Sequence, residues 1–246
     1  MHKVVWATML LFTAMSVSGQ EPLVIVLQAG NTAPYVLGPH DKPTGGIVVE
    51  TALRVGKDLG MPVVFTEMSR KRMVDELLAD PRHEVCPILN PAWTEEPEVL
   101  AFSGPLFVER NRLVVRSDKS LLYDHLIDLE GKTIGGLLGY IYPPAFQDLV
   151  DHGKVFRSDV TSPTQNYQKL LAGRIDGFIH ADLLALYDLK TNPAYKGLSM
   201  AAYVLSTQNI QWALNTKGPV FNAKLFAKLD ALKDEGFFDT LLRKYR

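Results

Sequence analysis

Two glycine-rich segments have residue types that could hold a phosphate or another anion. Gly131-Lys132-Thr133 is similar to the end of a phosphate-binding loop, but that loop needs a glycine where this chain has Leu126. Gly135-Gly136-Leu137-Leu138-Gly139 follows a predicted strand, and its spacing differs from the dinucleotide fingerprint G-x-G-x-x-G. Backbone N–H groups at a glycine-rich helix start can still approach an anion, so we predict an anion pocket near Gly139 and Tyr140. A tight turn without a ligand is the alternative.

Metal-dependent and nucleophilic chemistry lack the spacing that they require. No His-x-x-x-His or Glu-x-x-His pair places two ligands on one helical face, and no G-x-S-x-G motif is present. The single cysteine, Cys86, starts an apolar strand and is interpreted as a buried small hydrophobe rather than a nucleophile. The sequence therefore predicts no catalytic residue, no metal site and no cofactor.

Composition excludes several classes of protein. The 246 residues include 26 Lys and Arg against 27 Asp and Glu, and 47% are hydrophobic. Such a chain is too apolar to stay disordered and lacks the basic excess of a nucleic-acid binder. One cysteine permits no internal disulfide framework, so a core of one or two packed domains must hold the fold.

The first residues have the pattern of a secretory signal peptide. Lys3 precedes an uncharged apolar run from Val4 to Met15, and small residues follow up to Gly19. The run is shorter than the roughly 20 residues that span a bilayer, and cleavage before Gln20 fits the pattern, although a retained signal anchor is the alternative. No cysteine near the cleavage site could carry a lipid anchor. We therefore predict a periplasmic, soluble mature protein that is not a lipoprotein.

The mature chain alternates between strand and helix patterns, which predicts an α/β protein with parallel sheets. The apolar run Leu23 to Gln28 is typical of a buried parallel strand, and Val48, Ala52, Val55 and Leu59 repeat at helical spacing. The alternation restarts after about residue 111. The further predicted strands are 62–66, 85–89, 112–116, 133–138, 175–179, 198–205 and 210–214, and two helices divided at Gly236 close the chain.

The order of short motifs along the chain resembles the bacterial extracellular solute-binding proteins of the polar amino-acid type, as a divergent member. The motifs that carry the resemblance are Pro34-Tyr35, the segments 45–50, 102–106 and 112–115, Asp128-Leu129-Glu130-Gly131-Lys132-Thr133-Ile134-Gly135 and Leu170-Leu171-Ala172-Gly173-Arg174-Ile175-Asp176-Gly177. The resemblance implies the type II periplasmic binding-protein fold, with two α/β lobes around a ligand cleft. It also implies a division into signal peptide 1–19, a discontinuous lobe 1 formed by 20–111 plus 207–246, and lobe 2 formed by 112–206.

In the first lobe, the resemblance places ligand contacts in the loops that follow the strands. Tyr35 matches an aromatic after the first strand, and packing on its own lobe is the alternative. Asn90 and Trp93 follow the strand that ends at Leu89, so we predict a polar contact and a stacking wall there. Ser103 precedes the crossover to the second lobe, where it either lines the cleft or forms a structural turn.

In the second lobe, the implied contacts are Gly139 and Tyr140 at a helix start, Asn166 near the next helix start, and His180 at the end of a strand. Asp182 could bind a ligand ammonium group, but it lies one residue later than the family pattern. Family members also carry an arginine for the ligand carboxylate between Thr94 and Phe102, and this chain has none. Arg72 could substitute for it, with a surface-helix role as the alternative.

The predicted function is the non-catalytic capture of a small polar solute, amino-acid-like or another organic molecule, by closure of the lobes. The implied partner is an inner-membrane ABC permease or a sensor protein, and transport and signalling both stay open. We expect a monomer that binds no nucleic acid. Two other functions are compatible with the same residues. One is an enzyme similar to cyclohexadienyl dehydratase, with an acid or base such as His180, and the other is a structural protein with a degenerate cleft.

Overall fold

The computed structural model describes residues 21–29, 33–79, 84–94, 96–119, 125–140 and 142–246. The predicted signal peptide lies outside the described residues. Within these ranges, no helix combines the length and the apolar character that a membrane span requires.

The amino-terminal part of the protein is a β-α-β-α-β unit, as the sequence predicts. β1 pairs in parallel with both β2 and β3, and it is mostly buried because helices cover both faces of the sheet. The elements are β1 (Leu23–Gln28), α1 (Ile47–Leu59), β2 (Val63–Met68), α2 (Arg70–Ala79) and β3 (Glu84–Leu89).

Two glycines set the ends of α1. Gly46 has φ of 107°, and a Cβ atom there would lie 2.5 Å from the carbonyl oxygen of Tyr35. Gly60 adopts the left-handed conformation at the other end, with φ of 70°, and its N–H donates to the carbonyl of Lys57. The chain can therefore enter and leave the helix sharply, which brings the loop of Tyr35 against the start of α1.

A second set of parallel strands follows. β6 pairs in parallel with both β7 and β8. Ser162 and Gln165 form a capping box at the start of α4, and this pair sets where the helix begins. The elements are β6 (Thr133–Leu137), α3 (Pro144–Asp151), β7 (Phe156–Val160), α4 (Pro163–Leu171), β8 (Gly177–Ala181) and α5 (Asp182–Thr191).

Two long antiparallel strands, β5 (Phe107–Arg116) and β9 (Leu198–Asn215), join the two sets. β9 also pairs with β3 and with β4 (Leu100–Phe102), and β5 also pairs with β8. The strand order is β2-β1-β3-β9-β5-β8-β6-β7. We call β5 and β9 the connecting strands. The first half comprises β1 to β4, α1, α2, α6 (Pro219–Asp234) and α7 (Phe237–Tyr245), and the second half comprises β6 to β8, α3 and α4.

The connecting strands differ from the sequence prediction. Two separate strands were predicted over 198–205 and 210–214, whereas β9 is continuous, and β5 begins five residues before Arg112. The polar run Ser206-Thr207-Gln208-Asn209 interrupts the apolar pattern of β9, which predicts a break. The strand continues there because β5 pairs with all four of these residues.

The helix α5 was not predicted. Its residues Leu183, Leu184 and Tyr187 pack against the core of the first half, whereas Ala185 and Leu189 pack against a core cluster of the second half. A helix that is covered on two sides has no single apolar stripe, so its period does not stand out in the sequence. α5 therefore bridges the two halves beside the connecting strands.

Candidate functional site

The carboxyl ends of β3 and β8 approach the connecting strands from opposite sides. Leu89 on β3 faces Gln211 on β9, and the Asn90 side-chain amide donates to the carbonyl of Asn209 at 2.8 Å. Ala181 at the end of β8 faces Asn111 on β5, which in turn faces Ser206 on β9. On β9, Asn209 and Ser206 are three positions apart, which is about 10 Å along the strand. Loops that leave parallel strands are the usual ligand-binding elements of α/β sheets, and here the two sets converge.

Polar side chains occupy the connecting strands between these two strand ends. The Asn111 amide donates to the Ser206 hydroxyl at 3.0 Å, and Thr207 and Asn209 are exposed. Thr207 and Asn209 lie on one face of β9, and the Asn111–Ser206 pair lies on the other, because side chains alternate along a strand. The exposed hydroxyl and amide of Thr207 and Asn209 can exchange water for the polar groups of a small solute. This stretch, with the loop that follows β3 and the start of α5 directly after β8, is the candidate site.

Asn90 and Trp93 both lie at this end of β3. The side-chain oxygen of Asn90 accepts a hydrogen bond from the N–H of Ala92 at 2.9 Å and caps a short 3-10 turn over Pro91–Trp93. Trp93 is half-buried and packs against the cluster that contains Met73 and Leu89. The structure thus places these two predicted contacts side by side, and their contact with a ligand stays a prediction.

The positions of Tyr35 and Ser103 agree with the two alternatives in the sequence analysis, namely packing of Tyr35 on its own lobe and a structural turn at Ser103. The Tyr35 ring is buried in the first-half core, 6.4 Å from the ring of Phe107, and its hydroxyl donates to the Glu109 carboxylate. Ser103 is also buried, and its hydroxyl accepts the N–H of Trp212 at 3.0 Å. Both side chains therefore tie parts of the first half to the connecting strands, and neither is open to solvent in this arrangement.

Arg72 follows the carboxyl end of β2 by four residues, and its side chain pairs within its own helix. It is exposed near the start of α2, and its guanidinium pairs with Glu76 one turn later at 2.6 Å. This is the surface-helix arrangement left open by the sequence. The described residues between Thr94 and Phe102 contain no cation.

In the second half, Gly139 and Tyr140 form an exposed turn after β6. Gly139 has φ of 79°, and the Tyr140 side chain is 58% exposed. The helix α3 begins only at Pro144, so the turn and the helix start do not coincide. The sequence overlooked a cation at this turn: Arg157 lies within 3.4 Å of the Tyr140 carbonyl.

Arg157 is held by its neighbours on β7 and after β6. Its Nε atom donates to Asp159 at 2.7 Å, and its guanidinium carbon lies 4.8 Å from the centre of the Tyr142 ring. Arg157 and Asp159 are two positions apart on β7, so both side chains lie on the same face of the strand, and this spacing is visible in the sequence. The Asp159 partner neutralises the charge, so the turn near Tyr140 is polar without a net positive charge.

Asn166 and His180 are buried below the end of the second-half sheet. The Asn166 amide donates to the carbonyl of Gly136 at 2.9 Å. Among the described residues, neither the Asn166 side-chain oxygen nor the His180 Nε2 atom has a hydrogen-bond partner. Burial lowers the pKa of His180 to about 4, so its imidazole is neutral at pH 7. The rings of Tyr167 and Phe178 lie 6.2 and 5.7 Å from it.

Asp182 is the first residue of α5 and is 4% exposed. Its carboxylate accepts the backbone N–H of Arg110 at 3.2 Å and lies 3.7 Å from the Arg110 guanidinium. Next to it, burial raises the pKa of Glu109 to about 7, with a hydrogen bond from Tyr35 acting in the opposite direction and the charge of Asp182 raising it further. The sequence did not single out Glu109, because only the fold brings α5 and the loop after β1 around it.

Comparisons with known proteins agree on the fold. No protein-family model and no curated protein matches the sequence. Among solved structures, an ancestral arginine-binding protein bound to arginine is 21% identical, over 92% of this chain and 99% of its own, with a TM-score of 0.71. The amino acid ABC transporter substrate-binding protein AbpA from Streptococcus pneumoniae, bound to L-arginine, is 20% identical over 91% and 94% of the two chains, with a TM-score of 0.71. The substrate-binding domain 2 of GlnP from Lactococcus lactis, in an open conformation, is 17% identical over 92% and 95%, with a TM-score of 0.68.

The protein has the type II periplasmic binding-protein fold, which confirms the fold predicted from the sequence. The predicted resemblance to solute-binding proteins of the polar amino-acid type is confirmed at the level of the fold. These structural neighbours are binding proteins rather than enzymes.

Proposed function

We propose that the protein is a solute-binding protein that captures a small polar organic molecule between its two halves. The observation that carries the proposal is the convergence of the ends of β3 and β8 on the polar stretch of the connecting strands. A solute bound there would contact loops from both halves, so its binding would favour an arrangement in which they approach each other.

The two halves would act as the lobes of the sequence prediction, with 20–111 plus 207–246 as lobe 1 and 112–206 as lobe 2. The protein would work as a monomer outside the cytoplasm after loss of residues 1–19. It would deliver its solute to an ABC permease or present its closed form to a membrane sensor. The support for the permease comes from AbpA, whose name describes it as an amino acid ABC transporter substrate-binding protein.

We propose that the polar groups of the solute form hydrogen bonds with amides and hydroxyls of the protein, and not with the guanidinium of an arginine. Asn90 and Asn111 bracket the stretch, and Thr207 and Asn209 are exposed within it. Arg110, the cation next to this stretch, lies against the Asp182 carboxylate. An α-carboxylate would therefore find no uncommitted arginine between Thr94 and Phe102 or at Arg110. Amino acids, amino-acid derivatives and small polar amides are the classes to test.

The test is native mass spectrometry of the protein as purified, followed by thermal denaturation with a panel of solutes. The panel includes arginine, glutamine, glutamate, polyamines, organic acids and small amides. A co-purified small molecule that raises the melting temperature in proportion to its concentration supports the proposal. If no solute co-purifies and none in the panel shifts the melting temperature, a degenerate cleft is the better description.

Trp93 provides a local test of the site. If its ring is a stacking wall, Trp93→Ala should weaken binding of the solute by at least about tenfold, on the order of 1.4 kcal/mol. Phe156→Ala is the matched control, because Phe156 is exposed at the amino end of β7, away from the carboxyl ends of the parallel strands. Isothermal titration of both variants decides the point. Equal affinity in the wild type and Trp93→Ala would remove Trp93 from the site.

A further inference from the structure

Three buried polar side chains meet where the two halves join. Tyr35 comes from the loop after β1, Glu109 from β5 and Asp182 from the start of α5. Their exposed fractions are 4%, 8% and 4%. The Tyr35 hydroxyl donates to Glu109, and Asp182 holds the N–H of Arg110, the residue next to Glu109. This cluster of four residues, the junction cluster, therefore links the first half, a connecting strand and α5.

The junction cluster contains an uneven set of charges. When Glu109 is ionised, its negative charge is added to that of the buried Asp182, whereas Arg110, which pairs with Asp182, is 42% exposed and lies on the opposite face of β5 from Glu109. Tyr35 offers only a neutral hydrogen bond to Glu109. A second negative charge without a buried cation is costly, because water is excluded and the two carboxylates repel each other. Protonation of Glu109 removes that cost.

Movement of the halves relative to each other would change the free-energy cost of ionising Glu109. α5 packs on both cores through Leu183 on one side and Ala185 on the other, so a rotation of one half against the other changes the packing around the start of α5, where Asp182 lies. An arrangement that separates Asp182 from Glu109 or admits water favours the ionised form of Glu109. The arrangement described here favours the neutral form.

We propose that Glu109 is a proton-dependent latch between the two halves: neutral Glu109 holds the arrangement described here, and ionised Glu109 releases it. The proposal concerns the regulation of the candidate site and rests on the movement of the halves that the proposed function requires. The pH of the surroundings would then set how readily the protein changes its arrangement when it binds a solute.

The groups around Glu109 support a latch that works near neutral pH. Burial is the largest cause of its raised pKa of about 7, and the Asp182 charge adds to it. The residue opposite Glu109 on β9 is the uncharged Gln208. Three charged residues line a groove together with Phe107 and Arg110, namely Lys233 on α6, Asp239 on α7 and Arg246 directly after α7.

The experiment measures a distance between the halves in the full mature chain, without any solute. Spin labels are placed at Lys57→Cys on α1 and Gln168→Cys on α4, which are both exposed, whereas Cys86 is buried. Double electron–electron resonance is recorded from pH 5.5 to 8.5. We expect the distance distribution to shift towards the released arrangement as the pH rises and to stop changing above about pH 7, and Glu109→Gln to keep one distribution at every pH. A wild-type distribution that does not change with pH, or a Glu109→Gln distribution that still changes, overturns the latch.

Two further variants keep the test decisive. Glu98→Gln changes an exposed glutamate and should titrate as the wild type does. Tyr35→Phe removes the hydrogen bond that favours ionised Glu109, so the pH above which the distribution stops changing should rise. An unchanged value contradicts the proposal even if Glu109→Gln does not fold. Because no solute is added, a protein that shows the latch and binds nothing would refute the proposed function alone. A protein that binds a solute and shows no pH-dependent distance would refute the latch alone.

Discussion

Replacing Glu109 by glutamine should change how the stability of the protein depends on pH. The carboxyl pKa rises from 4.5 to about 7 on folding, mainly because Glu109 is buried. The folded state therefore disfavours the ionised form, so the contribution of Glu109 is least unfavourable below pH 4.5 and worsens as the pH rises, levelling off above pH 7. Glutamine has the same shape, can still accept the Tyr35 hydrogen bond and does not ionise.

The size of the effect follows from the shift of the pKa. The rise of the pKa from 4.5 to about 7 gives a penalty of about 3 kcal/mol at high pH for ionised Glu109 in the arrangement described here. The same two pKa values give a penalty of only about 1 kcal/mol at pH 5.5. The free energy of unfolding of Glu109→Gln, relative to the wild type, should therefore rise by about 2 kcal/mol between pH 5.5 and 8.5.

Urea denaturation at several pH values measures this difference, with Glu98→Gln as the exposed control. The difference between variant and wild type is the useful quantity, because other carboxylates titrate equally in both proteins. A difference of ~2 kcal/mol for Glu109→Gln and less than about 0.5 kcal/mol for Glu98→Gln is expected. Parallel stability curves for Glu109→Gln and the wild type would refute the reasoning, since they would mean that Glu109 is ionised in the folded state without penalty.

Two other outcomes follow from local geometry. Gly46→Ala should lower the free energy of unfolding by on the order of 2 kcal/mol or more, because its Cβ would lie 2.5 Å from the Tyr35 carbonyl oxygen; Gly139→Ala, where no atom lies within 4 Å of the new Cβ, should cost only about 1 kcal/mol. Urea denaturation that shows equal losses would contradict the close approach at Gly46. The folded-state His180 imidazole should stay neutral as the pH falls from 7 to 5 and should protonate near pH 4. Stability should be lost as the pH falls from 6.5 to about 4, because the unfolded state binds the proton first. Nitrogen-detected NMR, with His180→Gln for assignment, measures this, and protonation at pH 6.5 would contradict the burial of the ring.

Local patterns were sufficient for most of the elements that build the two halves. β1 lies at the predicted residues 23–28, and α1 and β6 differ from the prediction by one residue at one end. These segments bury one stripe or one continuous run of apolar residues, so their period appears in the sequence. Among the elements that were missed, α5 contacts both halves and the middle of β9 carries polar residues; β4 and the first five residues of β5 were missed as well. Their stability comes from partners that lie far away in the chain.

The candidate site was predicted in part for the same reason. Asn90 and Trp93 follow a strand that the sequence identifies, so their place at its carboxyl end was foreseeable. Arg157 reaches the turn at Tyr140 from another strand, 17 residues later in the chain. The burial of Tyr35 also depends on a distant residue, because its partner Glu109 lies 74 positions away.

The sequence alone determined that the chain forms two α/β units with polar loops at the ends of parallel strands. Alternation, glycine caps and apolar runs are local properties, and each segment of a few residues contains them. The tertiary structure alone decided that β5 and β9 pair through their polar middles and that α5 bridges two cores. It also decided that Glu109 lies between Tyr35 and Asp182. Such contacts depend on the register of strands distant in sequence and on the exclusion of water, and no short stretch of residues specifies either.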